Sequence, residues 1–491
     1  MSATAVVVGS GPNGLAAAIR LAQEGLDVTV VEGSTRVGGG TRTSELTLPG
    51  VLHDDCAAFH PTGVVSPFLS CLGLERYGLT WRWHDIDLAH PLDDGRAGVI
   101  VAGDMERTAR SVGGGHDARV WRRMFRPTVA HLDQVVREVF QPVPHVPRHP
   151  VALARFGAHA LLPATWTARR LRDDPARALF MGVAAHAFGR LDTPLSGSVG
   201  MLLTAVAHGA GWPVAEGGSR AITEAMVRLL TELGGQIVTG TTVTNLDQLT
   251  ELIGHKPDLV LMDTTPHAAA RIVGDRLPAR RRRAISRYTY GPGVHKVDFA
   301  IEGDVPWTNE DCRSAGTLHL GGTAEEIVAA EALTARGVLP DRPFLLVGQQ
   351  YLADPSRSAG PINPLYAYAH VPAGYTGDAT EAVIAQIERF APGFRDRIRA
   401  THSRTTRDLE TYNPNYVGGD VSAGANTARQ IALRPYPTLR PYDFGVPGVF
   451  LCSSATPPGA GVHGMGGANA AERALSWLGV RSDDRTATTK G

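Results

Sequence analysis

Ala5-Val6-Val7-Val8-Gly9-Ser10-Gly11-Pro12-Asn13-Gly14-Leu15-Ala16-Ala17-Ala18-Ile19, carried on to Val28-Thr29-Val30-Val31-Glu32, is the stretch that decides the fold. An apolar, β-branched strand runs into a glycine turn, then a helix-like segment Leu15–Gln23, then a second strand Val28–Val31 closed by an acid, which is a βαβ start. Gly9 allows the tight turn, Gly11 lets backbone approach a pyrophosphate, and Gly14 lets helix and strand pack closely, with Pro12 and Asn13 between them. Glu32 stands 18 residues after Gly14, where it can accept from ribose hydroxyls and disfavours a 2′-phosphate. A glycine turn without function is the competing reading. The strand before it, the helix after it and the acid in place favour dinucleotide binding.

Working outward, 491 residues are too many for one hydrophobic core, so two or three domains are expected. An apolar fraction of 43% with 20% charged residues fits a soluble globular protein, and 56 Gly with 33 Pro imply many tight turns. Lys plus Arg equals Asp plus Glu at 48 each, so no global field gathers a polyanion, and a nucleic-acid partner is not expected. Four cysteines, Cys56, Cys71, Cys312 and Cys452, show neither a CxxC nor metal-ligand spacing, so no disulfide framework and no metal site are expected. The N-terminus lacks the basic region and cleavage site of a signal peptide, and no uncharged apolar run reaches the ~20 residues of a membrane span, so the expected location is the cytoplasm.

The region from about Glu75 to Gly211 carries longer helical periods broken at the proline-rich stretch Gln141–Pro150, and it reads as a mainly helical insert. Within it Ala152–Arg172 is apolar at helical spacing, interrupted by Pro163 and ending in Arg169, Arg170 and Arg172. A surface helix of the insert is the favoured reading, with weak membrane-surface contact as the alternative. Ile222–Leu233 is an amphipathic helix, followed by strands Gln236–Thr239 with Val243, and Leu259–Met262. Arg280–Arg283 is read as a solvated helix face. Short alternating strands such as Lys296–Ile301 and Phe344–Gln349 place a mixed or antiparallel sheet in a second domain, and Pro447–Leu478 returns to strand, glycine turn and helix. The fold class is therefore α/β, with a Rossmann-type cofactor domain in pieces (1–75, 215–290 and 440–491) and an α+β substrate domain (76–214 and 291–439).

A second glycine cluster, Arg36-Val37-Gly38-Gly39-Gly40-Thr41-Arg42-Thr43, begins four residues past Glu32 and continues the path of an extended dinucleotide. Here the chain resembles the flavin amine oxidase and phytoene desaturase superfamily, and within it the bacterial phytoene dehydrogenase-related oxidoreductases. The likeness is carried by Glu45–Asp54, Gly217–Ile222, Tyr290–Asp298, Tyr412–Asp420 and Pro457–Gly467, and it covers nearly the whole chain. It implies noncovalent FAD, held by Gly33, Arg36, Gly39, Gly40, Thr41 and Arg42 beyond the first turn, and by Val243 on a strand meeting adenine. Thr264, Ser454, Gly461, Val462 and His463 complete the expected cofactor contacts, with Gly461–Gly464 preceding a helix whose N-terminus stabilises the reduced flavin. No cysteine stands where amine oxidases bond covalently to flavin, and Val112–Gly115 follows no strand that could make a second dinucleotide site.

Two residues are catalytic candidates. Lys296 lies on a strand placed like the amine oxidase lysine that holds water at flavin N5, against the plainer reading of a solvent-facing lysine. His463 lies in the flavin-facing turn, against the plainer reading of a histidine capping that turn. The implied chemistry is hydride transfer from a hydrophobic or natural-product-like small molecule to flavin N5, with oxygen or a quinone-like acceptor removing the electrons. A redox-neutral flavin isomerase, amine-oxidase-like oxidation of a C–N bond and a flavoprotein scaffold without turnover are the alternatives. The oligomeric state stays open.

Overall fold

A computed structural model gives the architecture and describes residues 2–480. Strand β1 (Thr4–Val8), helix α1 (Pro12–Gln23) and strand β2 (Asp27–Val31) form the expected βαβ start. Proline opens α1, where its missing N–H leaves no helical bond unmade. β1 and β2 pair in parallel and belong to a five-stranded parallel sheet ordered Val449–Leu451, Leu259–Met262, β1, β2, Gln236–Val238. Val6, Val7, Val28 and Val30 are fully buried, as strands covered on both faces require. Val243, expected on a strand, lies beyond its end. The N–H groups of Gly240 and Thr241 bond to the carbonyls of Ser34 and Glu32, and this turn takes the chain out of the ladder before Val243 is reached.

The C-terminal helix Met465–Leu478 lies against α1. Both present small residues, Ala16 and Ala17 on α1 and Gly467, Ala470, Ala471 and Ala474 on its partner, so the backbones come together. A Cβ added at Gly467 would stand 1.8 Å from the Asn13 carbonyl oxygen. Only glycine fits there.

The second sheet has seven strands in the order Ile398–Arg404, Gly293–Glu302, Ile362–Val371, Leu345–Gly348, Ala315–Leu320, Ile86–Pro91, Ala97–Ile100. It is mixed: Ala315–Leu320 pairs in parallel with Ile86–Pro91, and the other neighbours are antiparallel. Two of these strands arise from the region read as a helical insert, which corrects that reading. Ile86–Pro91 is buried along its whole length, with Leu88 in one hydrophobic cluster and Ile86 and Ala89 in another. It therefore shows no period-two pattern, and its polar Asp87 is satisfied internally by the N–H groups of Ala102 and Trp212. Trp81–Arg82 adds a short strand paired with Val214–Ala215, and the other regular elements of the insert are helical, including Gly115–Val129, Pro150–Ala160, Asp174–Ala184 and Gly197–Gly209. Gly113 and Gly114 lie between two helices and follow no strand. Among the described residues no helix is long and apolar enough to cross a membrane.

Replacing Gly467 with valine should force α1 and the C-terminal helix apart. The expected loss is about 3 kcal/mol or more of stability, read by denaturant unfolding, because the opposing atom is backbone and cannot rotate away.

Candidate functional site

The C-terminal ends of β1, β2 and Leu259–Met262 open into a cavity of about 1230 Å³ that runs on beneath the helical insert to the large sheet. Binding at the carboxyl ends of parallel strands is the general habit of such sheets. Gly9, Gly11, Pro12 and Asn13 line its entrance with Glu32 and Gly33, followed by Gly39, Gly40, Thr41 and Arg42. Val243, Thr264 and Ser454 line it from the other pieces of chain, as do Gly461, Val462, His463 and Lys296. Two expected contacts are elsewhere. Gly14 is a packing position, where a Cβ would stand 2.1 Å from the Gly9 carbonyl oxygen. Arg36 is exposed and turned away, bonding the Thr43 carbonyl at 2.8 Å and Ser44 at 3.0 Å, so it braces the loop from outside.

Glu32 is fixed before any ligand arrives. Its Oε2 accepts from the N–H and hydroxyl of Ser10 at 2.9 and 2.6 Å, and its Oε1 from the Ser34 N–H at 2.8 Å, with Arg42 3.5 Å away. Arg42 in turn ties the second glycine loop together, donating to the carbonyls of Arg36 and Val37. Tyr412 donates its hydroxyl to the Gly39 carbonyl, and Asn415 bonds both the Thr265 N–H and the Asp263 carbonyl. The Tyr412–Asp420 segment thus braces the second glycine loop and the Asp263–Thr265 turn.

Asp263 was not singled out by sequence reading. It follows the strand Leu259–Met262, accepts the Gly14 N–H at 3.0 Å, and stands where a Cβ on Gly11 would be 2.7 Å from its Oδ2. Burial pushes its carboxyl up to about 7, with Glu32 adding to the rise and the N–H groups of Gly14 and Gly11 opposing it. An acid at the end of a parallel strand, one strand over from the glycine turn, was the available signal.

His463 is buried, and its ring is engaged by the turn itself. Nδ1 accepts the Met465 N–H at 3.1 Å, while the other side of the ring meets the carbonyls of Gly459 and Ala460. Burial lowers its pKa to about 4, so the ring is neutral. It serves as the N-terminal brace of the helix Met465–Leu478, and the catalytic candidacy is corrected accordingly. Lys296 faces the cavity with its ammonium 4.5 Å from the Tyr366 ring centre and paired to Asp298, which lies two residues on along the same strand face. Burial alone would raise the Asp298 carboxyl, but Lys296, with His402 and His53 beside it, holds it well below the usual carboxylate range. The neighbouring His295 points the other way, toward Thr380 and Asp378.

Residues 7–72 match the family model described as "NAD(P)-binding Rossmann-like domain". Residues 7–72 form a Rossmann-like unit. An uncharacterized protein of Mycobacterium tuberculosis is 26% identical, with 97% of each chain covered. Among solved structures, an oxidoreductase from Methanosarcina mazei superposes with a TM-score of 0.63 at 15% identity, covering 96% of this chain and 100% of that one. A putrescine oxidase bound to putrescine superposes with a TM-score of 0.60 at 17% identity, covering 98% of this chain and all of the other. The fold is shared from end to end.

Exchanging Asp263 for asparagine tests the buried acid. Between about pH 4, where the unfolded chain releases its proton, and about 7, the folded state still holds one, so the native protein loses stability as pH rises through that window. Asp263→Asn, which keeps an acceptor for the Gly14 N–H, should lack this slope. Melting temperatures at pH 5 and pH 8 should therefore fall less in the variant, and equal falls would show that Asp263 ionises freely.

Proposed function

We propose that this protein is an FAD-dependent oxidoreductase acting on a hydrophobic small molecule. The observation that carries the reading is a single cavity, larger than the ~300–1,000 Å³ of ordinary ligand sites, whose two ends differ in chemistry. The entrance is glycine backbone, Asn13, Glu32 and Arg42; the inner end is Phe188, Leu203, Trp212, Leu346, Tyr366 and Tyr368. A dinucleotide and an apolar substrate fit one each.

The residues at the entrance suit FAD. Glu32 is oriented for the ribose hydroxyls, the α1 N-terminus and Asn13 for the pyrophosphate, and the Gly461–Gly464 turn with its helix for the flavin end. Burial raises the Asp263 carboxyl to about 7, so beneath the glycine turn it carries less negative charge against phosphate than an ordinary carboxylate. FAD held there would supply a hydride acceptor, with oxygen or a quinone-like compound as the final electron acceptor. The chain's part is to hold cofactor and substrate in one dry chamber and to keep the ammonium of Lys296 there, offsetting charge and positioning water. The phytoene dehydrogenase-related branch is the favoured one because the Glu45–Asp54, Gly217–Ile222 and Tyr412–Asp420 motifs converge on these loops. Amine-oxidase-like oxidation is the second reading, favoured by the fold shared with putrescine oxidase. Exposed Val151, Leu161 and Trp166 beside Arg169 and Arg170 support a weak membrane-surface contact, with Leu161 also lining the cavity.

The purified protein should be yellow and release FAD on denaturation, with NAD or precipitate-bound flavin as the refuting result. Glu32→Ala should lose most of its FAD while staying folded, since a charged hydrogen bond contributes roughly 1.5 to 3 kcal/mol; flavin absorbance reads the occupancy.

Lys296→Met alone strands the Asp298 carboxylate in the core, which should cost ~3–5 kcal/mol of stability. The double variant Lys296→Met/Asp298→Asn removes the pair as a unit. It should fold, keep FAD and slow one half-reaction by about tenfold or more. Stopped-flow traces that overlay those of the wild type in both half-reactions would remove Lys296 from the mechanism.

A further inference from the structure

Three buried lysine or arginine side chains line the cavity: Arg42, Lys296 and Arg434. Arg42 stands 3.5 Å from the Glu32 carboxylate, and Lys296 is paired to Asp298. Arg434 is only 3% exposed, yet among the described residues it pairs with no carboxylate. Its guanidinium donates from Nε to the Gln430 carbonyl at 3.1 Å, from Nη1 to the Ser454 carbonyl at 3.3 Å and from Nη2 to the Asn426 side-chain oxygen at 2.7 Å. All three acceptors are neutral. Of the five N–H groups, one on Nη1 and one on Nη2 remain, the number that a carboxylate accepts in a bidentate pair.

Those contacts fix where the charge stands. Arg434 follows the helix Ala428–Leu433, and its bond to Gln430 folds the side chain back along that helix. Ser454 belongs to the glycine-lined end, where its hydroxyl accepts the Asn13 amide at 3.2 Å. Asn426 gives its own amide to the Ala187 carbonyl at 3.0 Å, beside Phe188, which lines the aromatic end with its ring stacked on Tyr368. The guanidinium is thus tied to both ends, and Gly459 leaves room next to it: a Cβ there would stand 2.7 Å from Nη1. Asn426, Ser454 and Gly459 all line the cavity with Arg434. An arginine does not shed its proton, so burial leaves it charged. A buried charge held only by neutral acceptors stays uncompensated.

We propose that Arg434 is the carboxylate-recognition residue of the chamber: the counter-charge that Glu32 and Asp298 give Arg42 and Lys296 comes, for Arg434, from the acid group of a substrate whose remaining body is apolar. The proposal rests on reading the cavity as one chamber for cofactor and substrate. The polar groups toward the aromatic end do not compete for that acid. Lys296 is committed to Asp298, the Tyr366 hydroxyl donates to the Cys56 carbonyl at 2.6 Å, and Tyr368 offers no charge. A lone guanidinium selects an aryl or alkyl carboxylic acid over the matching amide, because only the acid removes the cost of the buried charge.

The test compares 4-phenylbutyrate with 4-phenylbutanamide, which share a shape and differ in charge, by isothermal titration calorimetry on the protein as purified. The acid should bind the wild type about tenfold more tightly than the amide. Arg434→Gln should remove that preference and leave the amide affinity within about threefold, while Arg434→Lys, which keeps the charge without the planar fork, should retain part of it. Should Arg434→Gln not fold by circular dichroism, Arg434→Lys decides, and an undiminished preference there overturns the proposal. Equal binding of acid and amide to the wild type, no acid binding up to about 10 mM, or a preference that survives in Arg434→Gln would each overturn it as well. Flavin content is read separately by absorbance. An acid preference that needs Arg434, in protein without flavin, upholds the subsite and defeats the cofactor reading; flavin without an acid preference does the reverse. Flavin lost from Arg434→Gln, with no acid preference in the wild type, gives the guanidinium to the cofactor's diphosphate and overturns the proposal.

Discussion

The glycine turn between β1 and α1 is held on two sides, and everything else in the site is positioned from it. On one side stands Asp263, with the Gly14 N–H bonded to its carboxyl. On the other side the Asn13 carbonyl lies against Gly467 so closely that no side chain fits between. Asn13 also reaches the hydroxyl of Ser454 at 3.2 Å and the Gly467 N–H at 3.4 Å. Residues near 10, 260 and 460 are thereby locked into one wall. Small-residue packing between helices works here because it leaves no slack: a backbone contact cannot be relaxed by choosing another rotamer.

A second anchor ties the remaining motifs to that wall. Arg357 is fully buried, and its guanidinium pairs with both Asp54 and Asp354 and donates to the Ala215 carbonyl at 2.7 Å. Asp54 also accepts the Ser219 N–H at 2.7 Å, and Asp354 accepts the Gly217 N–H at 2.8 Å. Burial would raise the Asp54 carboxyl, but the charge of Arg357 and these donors hold it below its ordinary value. A buried ion pair of this kind contributes little net stability but is expensive to break, so it specifies geometry. The Glu45–Asp54 and Gly217–Ile222 stretches are readable as motifs in sequence, and their physical use is to meet at this arginine.

What was legible in the sequence is what is local. β1, α1 and β2 follow from periodicity and the glycine spacing, and Leu259–Met262 was placed to the residue. The place of Glu32 at the end of the second strand, lining the cavity, was legible because it depends on distance along the chain. What was not legible depends on tertiary partners. Ile86–Pro91 has both faces buried, so it lacks the alternation that marks a strand. Arg36 turns outward because Arg42 occupies the inner side of the same loop and bonds the Arg36 carbonyl. His463 gives its ring nitrogens to backbone, as one of its two readings anticipated. Asp263 had no motif around it at all, since its significance comes from Gly14, far away in the chain.

Electrostatics then divides the cavity into regions by the same rule. A low-dielectric interior penalises every charge, so each buried ionisable group must be neutral, hydrogen-bonded or paired. At the glycine-lined end Asp263 meets the requirement by holding its proton up to about pH 7 and accepting the Gly14 N–H, and Glu32 by accepting three hydrogen bonds. At the inner end His186 and His319 meet it by staying neutral and sharing one proton. Lys296 and Asp298 take the third route as a buried pair, with the Tyr366 ring face beside the ammonium. Because Asp298 is also flanked by His53 and by the half-buried His402, the counter-charge of Lys296 is held from the side away from the cavity. The ammonium is thus presented to the cavity between its glycine-lined end and the aromatic residues Tyr366 and Tyr368, held in place by a carboxylate that could not stay buried and charged without it.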